Sequence, residues 1–290
     1  MAAAPVSVCA VHATLGEGPV WIAREAALYF VDIKARKLFR FDPASHQLDA
    51  WDAPAQIGWV LPAADGGLVA GLQGGIHRFD ARSGAFAPVV PVEADRPSNR
   101  LNDACTDPHG RIWFGTMDDG ERGSSGAYYS YYRGMLAKAD LPPVAITNGP
   151  AVSPDGRILY HVDTRGGGIY ACALEENGLL GPSRLFARID PSDGHPDGPT
   201  VDSEGCLWVG LFGSGEARRY APDGSLIQTV RFPVSNITKL AFGGPDLRTV
   251  FATTARLHLS KEQLEREPEA GNLFSFRAEV PGVAVTPAVI

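Results

Sequence analysis

Three short frames place an oxygen-bearing side chain directly before Gly-Pro: Glu17-Gly18-Pro19, Asn148-Gly149-Pro150 and Asp197-Gly198-Pro199. Glycine lets the backbone approach its surroundings closely. Proline fixes φ and withholds a ladder donor, so each frame holds its carboxylate or amide at a strand start or bulge. Two carboxylates and an amide are hard oxygen ligands, and their two negative charges balance one divalent cation such as Ca, Mg or Mn, with Zn or Fe(II) also compatible. An acidic or amide residue before glycine is also an ordinary turn former. A purely structural repeat would recur in every unit and tolerate Ser or Thr, yet the equivalent places elsewhere carry Gly58-Trp59, Asn102-Asp103 and Lys239. A metal site is therefore a candidate beside the turn reading.

The elements that must position these residues follow a repeat of roughly 40 to 50 residues, the period of a propeller blade. Each unit has a polar, glycine-containing segment, a turn, a short strand of β-branched and aromatic residues, and a second strand. ADGG (Ala64 to Gly67), DPHGR (Asp107 to Arg111), SPDGR (Ser153 to Arg157) and DSEGC (Asp202 to Cys206) read as hairpin turns. The strands after them are LVAGL from Leu68, IWFGT from Ile112, ILYHVD from Ile158 and LWVGL from Leu207, with LYFVD from Leu28 and VFATT from Val250 completing six. KLFRFD from Lys37, GIHRFD from Gly75, GIYACA from Gly168 and ARRYAP from Ala217 alternate apolar and polar residues as half-buried strands do. The pattern predicts an all-β, six-bladed β-propeller formed by residues 1–290 as one domain, with the inner strand of each blade facing a central channel. With 33 glycines and 23 prolines spread along the chain, far above the usual share of about 12%, the eight helices of a TIM barrel have no room. One helix is predicted, in SKEQLERE (Ser260 to Glu267), where Ser260 and Gln263 have capping-box spacing. A strand around Val6 to Val11 is expected to close the ring against the sheet of the last residues.

The net charge of −7 and the absence of a basic stripe exclude a nucleic-acid binder. No apolar run reaches the roughly 18 to 20 residues of a membrane span, and the start lacks the basic and apolar regions of a signal peptide. The expectation is a soluble, cytoplasmic protein. Cys9, Cys105, Cys172 and Cys206 have no C-x-x-C spacing and read as small buried residues. Trp113 and Trp208 read as core, and Tyr128, Tyr129, Tyr131 and Tyr132 as either a lid or an apolar surface patch. His161 with Asp163 reads as a strand-end pair, and His195, just before Asp197, as a packing or loop residue at the channel mouth.

LGEGPVW (Leu15 to Trp21), NRLNDACTDPHGRIWFGTM (Asn99 to Met117), ITNGPAVSPDGRILYHVDT (Ile146 to Thr164), HPDGPTVDSEGCLWVG (His195 to Gly210) and FGGPDLRTVFATTA (Phe242 to Ala255) together resemble the SMP-30/gluconolactonase/regucalcin family. In look they are nearest to bacterial sugar lactonases of the xylonolactonase or arabinonolactonase kind. The resemblance implies a six-bladed propeller, one divalent metal in the channel, and hydrolysis of a sugar lactone to an aldonic acid. It places the metal ligands on Glu17, Asn148 and Asp197, and substrate contacts on Arg100 and Asn102. A glutamate that animal members use after the G-T-M frame has no clean counterpart in MDDGERG, so Asp118, Asp119 and Glu121 are the candidates.

A cation held this way polarises the lactone carbonyl and lowers the pKa of water. Asp197 is assigned as the catalytic base and Glu17 as a ligand only. Arg100 can fork onto sugar hydroxyls or the oxyanion. Asn102 can bond a polyol, or reach the metal through water. Other readings of the same chain are a calcium-binding or regulatory propeller, a scaffold propeller, and a metal-dependent hydrolase of other esters. The Gly-His and Trp-Asp marks that WD scaffolds carry in every blade do not recur from unit to unit here. Neither G-x-S-x-G nor H-E-x-x-H occurs.

Overall fold

The four Asp/Asn-Gly-type turns close as their sequences predict. In each the glycine N–H donates to a carbonyl three residues earlier: Gly66 to Ala63, Gly110 to Asp107, Gly156 to Ser153 and Gly205 to Asp202, at 2.9–3.0 Å. Two of them carry further wiring. The buried Asp202 carboxylate accepts from the Glu204 and Cys206 amides, from Trp208 Nε1 at 2.9 Å and from Arg219 Nε at 2.7 Å. Asp107 repeats this with the His109 and Arg111 amides, the Arg111 side chain and Trp113 Nε1. One carboxylate thus fixes both the turn and the indole that starts the next strand, and Trp113 and Trp208 are core residues as expected.

The computed structural model describes residues 4–290. The chain opens with β1 (Val6–Cys9), and four antiparallel sheets follow, each ordered as in sequence. They are β2 (Gly16–Ile22), β3 (Ala27–Asp32), β4 (Lys37–Asp42) and β5 (Gln47–Asp52); β6 (Ile57–Pro62), β7 (Leu68–Leu72), β8 (Gly75–Asp80) and β9 (Ala85–Pro91); β10 (Asn99–Thr106), β11 (Ile112–Asp118), β12 (Tyr128–Tyr132) and β13 (Met135–Lys138); and β14 (Thr147–Val152), β15 (Ile158–Asp163), β16 (Gly168–Ala173) and β17 (Arg184–Arg188). The next run is β18 (His195–Val201), β19 (Leu207–Phe212), β20 (Glu216–Tyr220) and β21 (Leu226–Arg231). The last is β22 (Ile237–Gly243), β23 (Thr249–Thr254), α1 (Lys261–Arg266) and β24 (Leu273–Arg277). These two runs join into one eight-stranded sheet, β1-β24-β23-β22-β18-β19-β20-β21, through a parallel bridge between Gly198 and Lys239. The N-terminal strand pairs with β24, one register shift included. The expected closure of the N-terminal strand against the last sheet of the chain is thus what the structure shows. The helix has the expected capping box at Ser260 and Gln263.

The first strands of the runs lie side by side in order: β2 against β6, then β10, β14, β18 and β22, with β22 returning to β2. Their antiparallel partners show a register shift at the same level in all of these strands: Glu17/Val20, Ile57/Trp59, Leu101/Ala104, Asn148/Ala151, Pro196/Pro199 and Ile237/Lys239. A bulge re-aims the side chain beside it. Its recurrence makes the bulge architectural, so what varies is the residue placed on it.

Apolar layers between sheets supply the core, centred on Trp59, Trp113, Trp208, Tyr29 and Tyr160. The tyrosine run is neither a lid nor a surface patch. Tyr128 is buried between β12 and the next sheet, donating to the Val162 carbonyl at 2.7 Å and the Asn148 carbonyl at 3.1 Å. Tyr129 donates to Glu93, Tyr131 is core, and Tyr132 lies under Arg111 and Arg133. All four cysteines are free; Cys172 and Cys206 are buried, and Cys9 and Cys105 partly so. Among the described residues no helix is long and apolar enough to cross a membrane.

Residues 281–290 form a strap over the ends of the inner strands. Ser203 N donates to Pro281 O and Gly282 N to Leu247 O; farther on, Ala288 is tied to Pro62 and Ala64, and Val289 to Gly110 and Arg133, at 2.7–3.1 Å.

Candidate metal centre

Glu17 follows Gly16 at the start of β2, Asn148 is second in β14, and Asp197 is third in β18. The inner strands run side by side, so these starts meet at one end of the channel. All three line a cavity of about 330 Å³, with Arg100, Asn102, Glu121, Thr164, Arg165, His195 and His258 among its other walls.

Glu17 and Asp197 are buried. Glu17 Oε2 accepts from the Gly18 amide at 2.8 Å, whereas buried Asp197 Oδ1 has no hydrogen-bond partner among the described residues. Burial, with the negative charge of Asp103 added, pushes the Glu17 carboxyl up to about 8. Burial raises Asp197 well above its ordinary range as well, reinforced by Glu17 and Asp103. Two neighbouring buried carboxylates, both raised and one with an orphaned oxygen, form a place that positive charge would complete. Asn148 fits the set: its Nδ2 donates to Thr164 Oγ1 at 2.8 Å, and its Oδ1 accepts only from Asn102, at 3.1 Å. Among the described residues no three His, Cys, Asp or Glu side chains converge on a common point. The donor set is two carboxylates and one amide, all oxygen.

Arg100 is held rigidly. Its Nε donates to Asp119 at 2.8 Å and its Nη1 to Asn102 Oδ1 at 2.6 Å and to Leu101 O. Asp119 also receives Lys34 Nζ at 2.5 Å and Gln56 Nε2 at 3.0 Å. Burial opposes the charge on Asp119, but these three donors outweigh it and its carboxyl is lowered. Both Nδ2 hydrogens of Asn102 are engaged, on Thr147 O and Asn148 Oδ1. One lone pair of Oδ1 is left for a ligand. The asparagine thus orients both Arg100 and Asn148.

The candidates after the G-T-M frame separate. Asp118 faces Arg122, which takes both its oxygens and holds its carboxyl down to about 2; it does not line the cavity. Asp119 positions Arg100. Glu121 lines the rim, where its Oε2 accepts from Arg165 Nη2 at 3.3 Å. His195 is exposed on the cavity wall. His161 is away from the cavity, between the rings of Tyr128 and Tyr170 with Nε2 against Ser183 Oγ at 2.7 Å, and burial lowers it to about 4.

Asp103 and Lys239 stand at strand starts where nothing in the sequence marks a role for them. They form a buried ion pair. Asp103 Oδ1 also accepts from the Ala104 amide at 2.7 Å and Oδ2 from the Gly149 amide at 2.9 Å. Burial pulls Lys239 down, but Asp103 beside it more than restores the ammonium.

With this geometry established, the relatives are informative. A family model described as the SMP-30/Gluconolactonase/LRE-like region matches residues 15–256. The chain is 36% identical to a 6-deoxy-6-sulfogluconolactonase of Pseudomonas putida over 93% of each chain, and 36% identical to an L-arabinolactonase of Azospirillum brasilense over 93% of this chain and 91% of that one. The crystal structure of a calcium-binding protein, regucalcin, from Agrobacterium tumefaciens superposes with a TM-score of 0.95 at 28% identity, covering 100% of this chain and 98% of that one. The chain belongs to the SMP-30/gluconolactonase/LRE-like family and is an enzyme of its lactonase kind.

Proposed function

We propose that residues 1–290 form a single six-bladed β-propeller that hydrolyses aldonolactones to aldonic acids, with one divalent cation held by Glu17, Asn148 and Asp197. The cyclic order of the inner strands supports the ring, and lactonase relatives at 36% identity support the reaction class. The observation that carries the site is the partnerless Oδ1 of Asp197 beside Glu17 and Asn148 in the cavity that Arg100 enters. A divalent cation bound there supplies Lewis-acid polarisation of the lactone carbonyl and a lower pKa for a neighbouring water. Hard oxygen donors favour Ca, Mg or Mn.

Asp197 takes the proton of the attacking water and passes it on as the ring oxygen leaves. Glu17 and Asn148 hold position. Arg100 Nη2, the guanidinium nitrogen not engaged by protein, donates to the carbonyl oxygen as it gains charge. Glu121 and Arg165 at the rim offer an acceptor and a donor to ring hydroxyls. Four free cysteines fit a reducing, cytoplasmic setting.

The test is acid release from a panel of pentono- and hexonolactones, using chelator-treated protein and protein resupplied with Ca, Mg, Mn, Zn or Fe(II), with spontaneous hydrolysis subtracted. Metal-dependent acceleration is expected, and Asp197→Asn should lower turnover by about 10²- to 10⁴-fold while the chain stays folded. Folded protein without acceleration under any metal would exclude the lactonase reading.

A further inference from the structure

The Asp103–Lys239 pair lies one residue beyond the candidate ligands along the inner strands. Asp103 grips the amide of Gly149, the neighbour of Asn148. Lys239 bridges Gly198, the neighbour of Asp197, and its stem fills the space a side chain there would need: a Cβ on Gly198 would lie 2.6 Å from Lys239 Cγ. The pair therefore spans the channel from β10 to β22 directly behind the ligand tier. Both members are almost wholly shielded from solvent, at 0% and 6% exposure.

The buried charges here are Glu17, Asp197 and Asp103 against Lys239. Arg100, the other buried cation at this level, is matched by Asp119. With all three carboxylates ionised, the net charge is that of two carboxylates, which one divalent cation cancels. Without Lys239 it would be three, and Asp103 would be free to turn toward a metal.

Building on the metal reading above, we infer that Lys239 is a tethered internal counter-ion that withholds Asp103 from the ligand set and fixes the centre's charge at that of a single divalent cation. This makes Lys239 and Asp103 positioning residues, and their removal should shift metal affinity in opposite directions. A pair that only staples two strands would give losses of the same sign.

The experiment titrates chelator-treated full-length chain with Ca²⁺ and, separately, Mn²⁺ by calorimetry, with folding checked by circular dichroism. Lys239→Met should bind at least tenfold more tightly than wild type, Asp103→Asn at least tenfold more weakly, and the double variant within about threefold of wild type. If Lys239→Met does not fold, the comparison of Asp103→Asn with the double variant carries the test, since removing Lys239 should then recover affinity. Equal weakening by both single changes, or a double variant no better than Asp103→Asn, would overturn the inference. Wild-type chain that binds neither cation would instead overturn the metal reading on which it rests.

Discussion

Asp197 differs from the other buried aspartates in how its oxygens are used. Asp103, Asp107 and Asp202 each have both oxygens saturated by amides, indoles or cations, whereas Asp197 Oδ1 accepts from none of the described residues. Saturated carboxylates build the fold, and a buried one left open is available for chemistry. The Gly-Pro frames make Glu17, Asn148 and Asp197 legible in the sequence, because a rigid local backbone is written in adjacent residues. The positioning role of Asp119 is not legible, since Lys34, Gln56 and Arg100 reach it from distant segments; nor is the Asp103–Lys239 pair, 136 residues apart. Arg100→Ala should lower kcat/KM about tenfold or more, the worth of a charge-assisted hydrogen bond, and leave calorimetric metal affinity unchanged. His161 gives a second residue-scale expectation. Its folded pKa of about 4 lies below the ordinary 6.5, so the unfolded chain binds the extra proton first. The stability contribution is present above pH 6.5 and is lost as pH falls toward 4, by roughly 3 kcal/mol. His161→Phe should flatten that part of a Tm-versus-pH curve.

At the scale of the element, the bulge decides where a side chain points. Turn chemistry and strand alternation are local, so β4, β7, β8, β15 and β16 have the bounds their sequences suggest. The bulges are less visible, because a register shift is a relation between two strands. Gly18 shows what the bulge in β2 demands: its φ is +54°, and a Cβ there would sit 2.7 Å from the Gly58 carbonyl oxygen. Gly18→Ala should therefore cost about 1–3 kcal/mol in chemical denaturation and weaken metal binding through the displaced Glu17. Unchanged affinity in a destabilised variant would separate the bulge from the centre. The tyrosine run illustrates the limit of reading composition: four aromatic residues in five positions suggest a patch, yet each finds a partner on another element.

For the molecule as a whole, closure has two parts. The N-terminal strand is stitched to β24, and the C-terminal strap ties the β18–β19 turn and the β22–β23 connection to the second and third sheets. Apart from the Pro281-Gly282 turn at its start, the strap carries no alternation that would announce its path, and only its assembled neighbours give it one. Deleting residues 281–290 should lower the Tm by several degrees, since at least seven backbone and side-chain hydrogen bonds to the body are lost, and a truncated chain with unchanged Tm would show the strap to be dispensable.

The strap also decides how molecules come and go. Val283, Ala284, Val285 and Thr286 wall a separate chamber at the far ends of the inner strands, and Lys239 stands between it and the ligand tier. On the proposed reading, traffic runs through the end where Arg165, His195 and His258 stand. With one doorway, each acid formed must leave by the path the next lactone enters, so the two contend for the same space and accumulated product acts as a brake on its own formation.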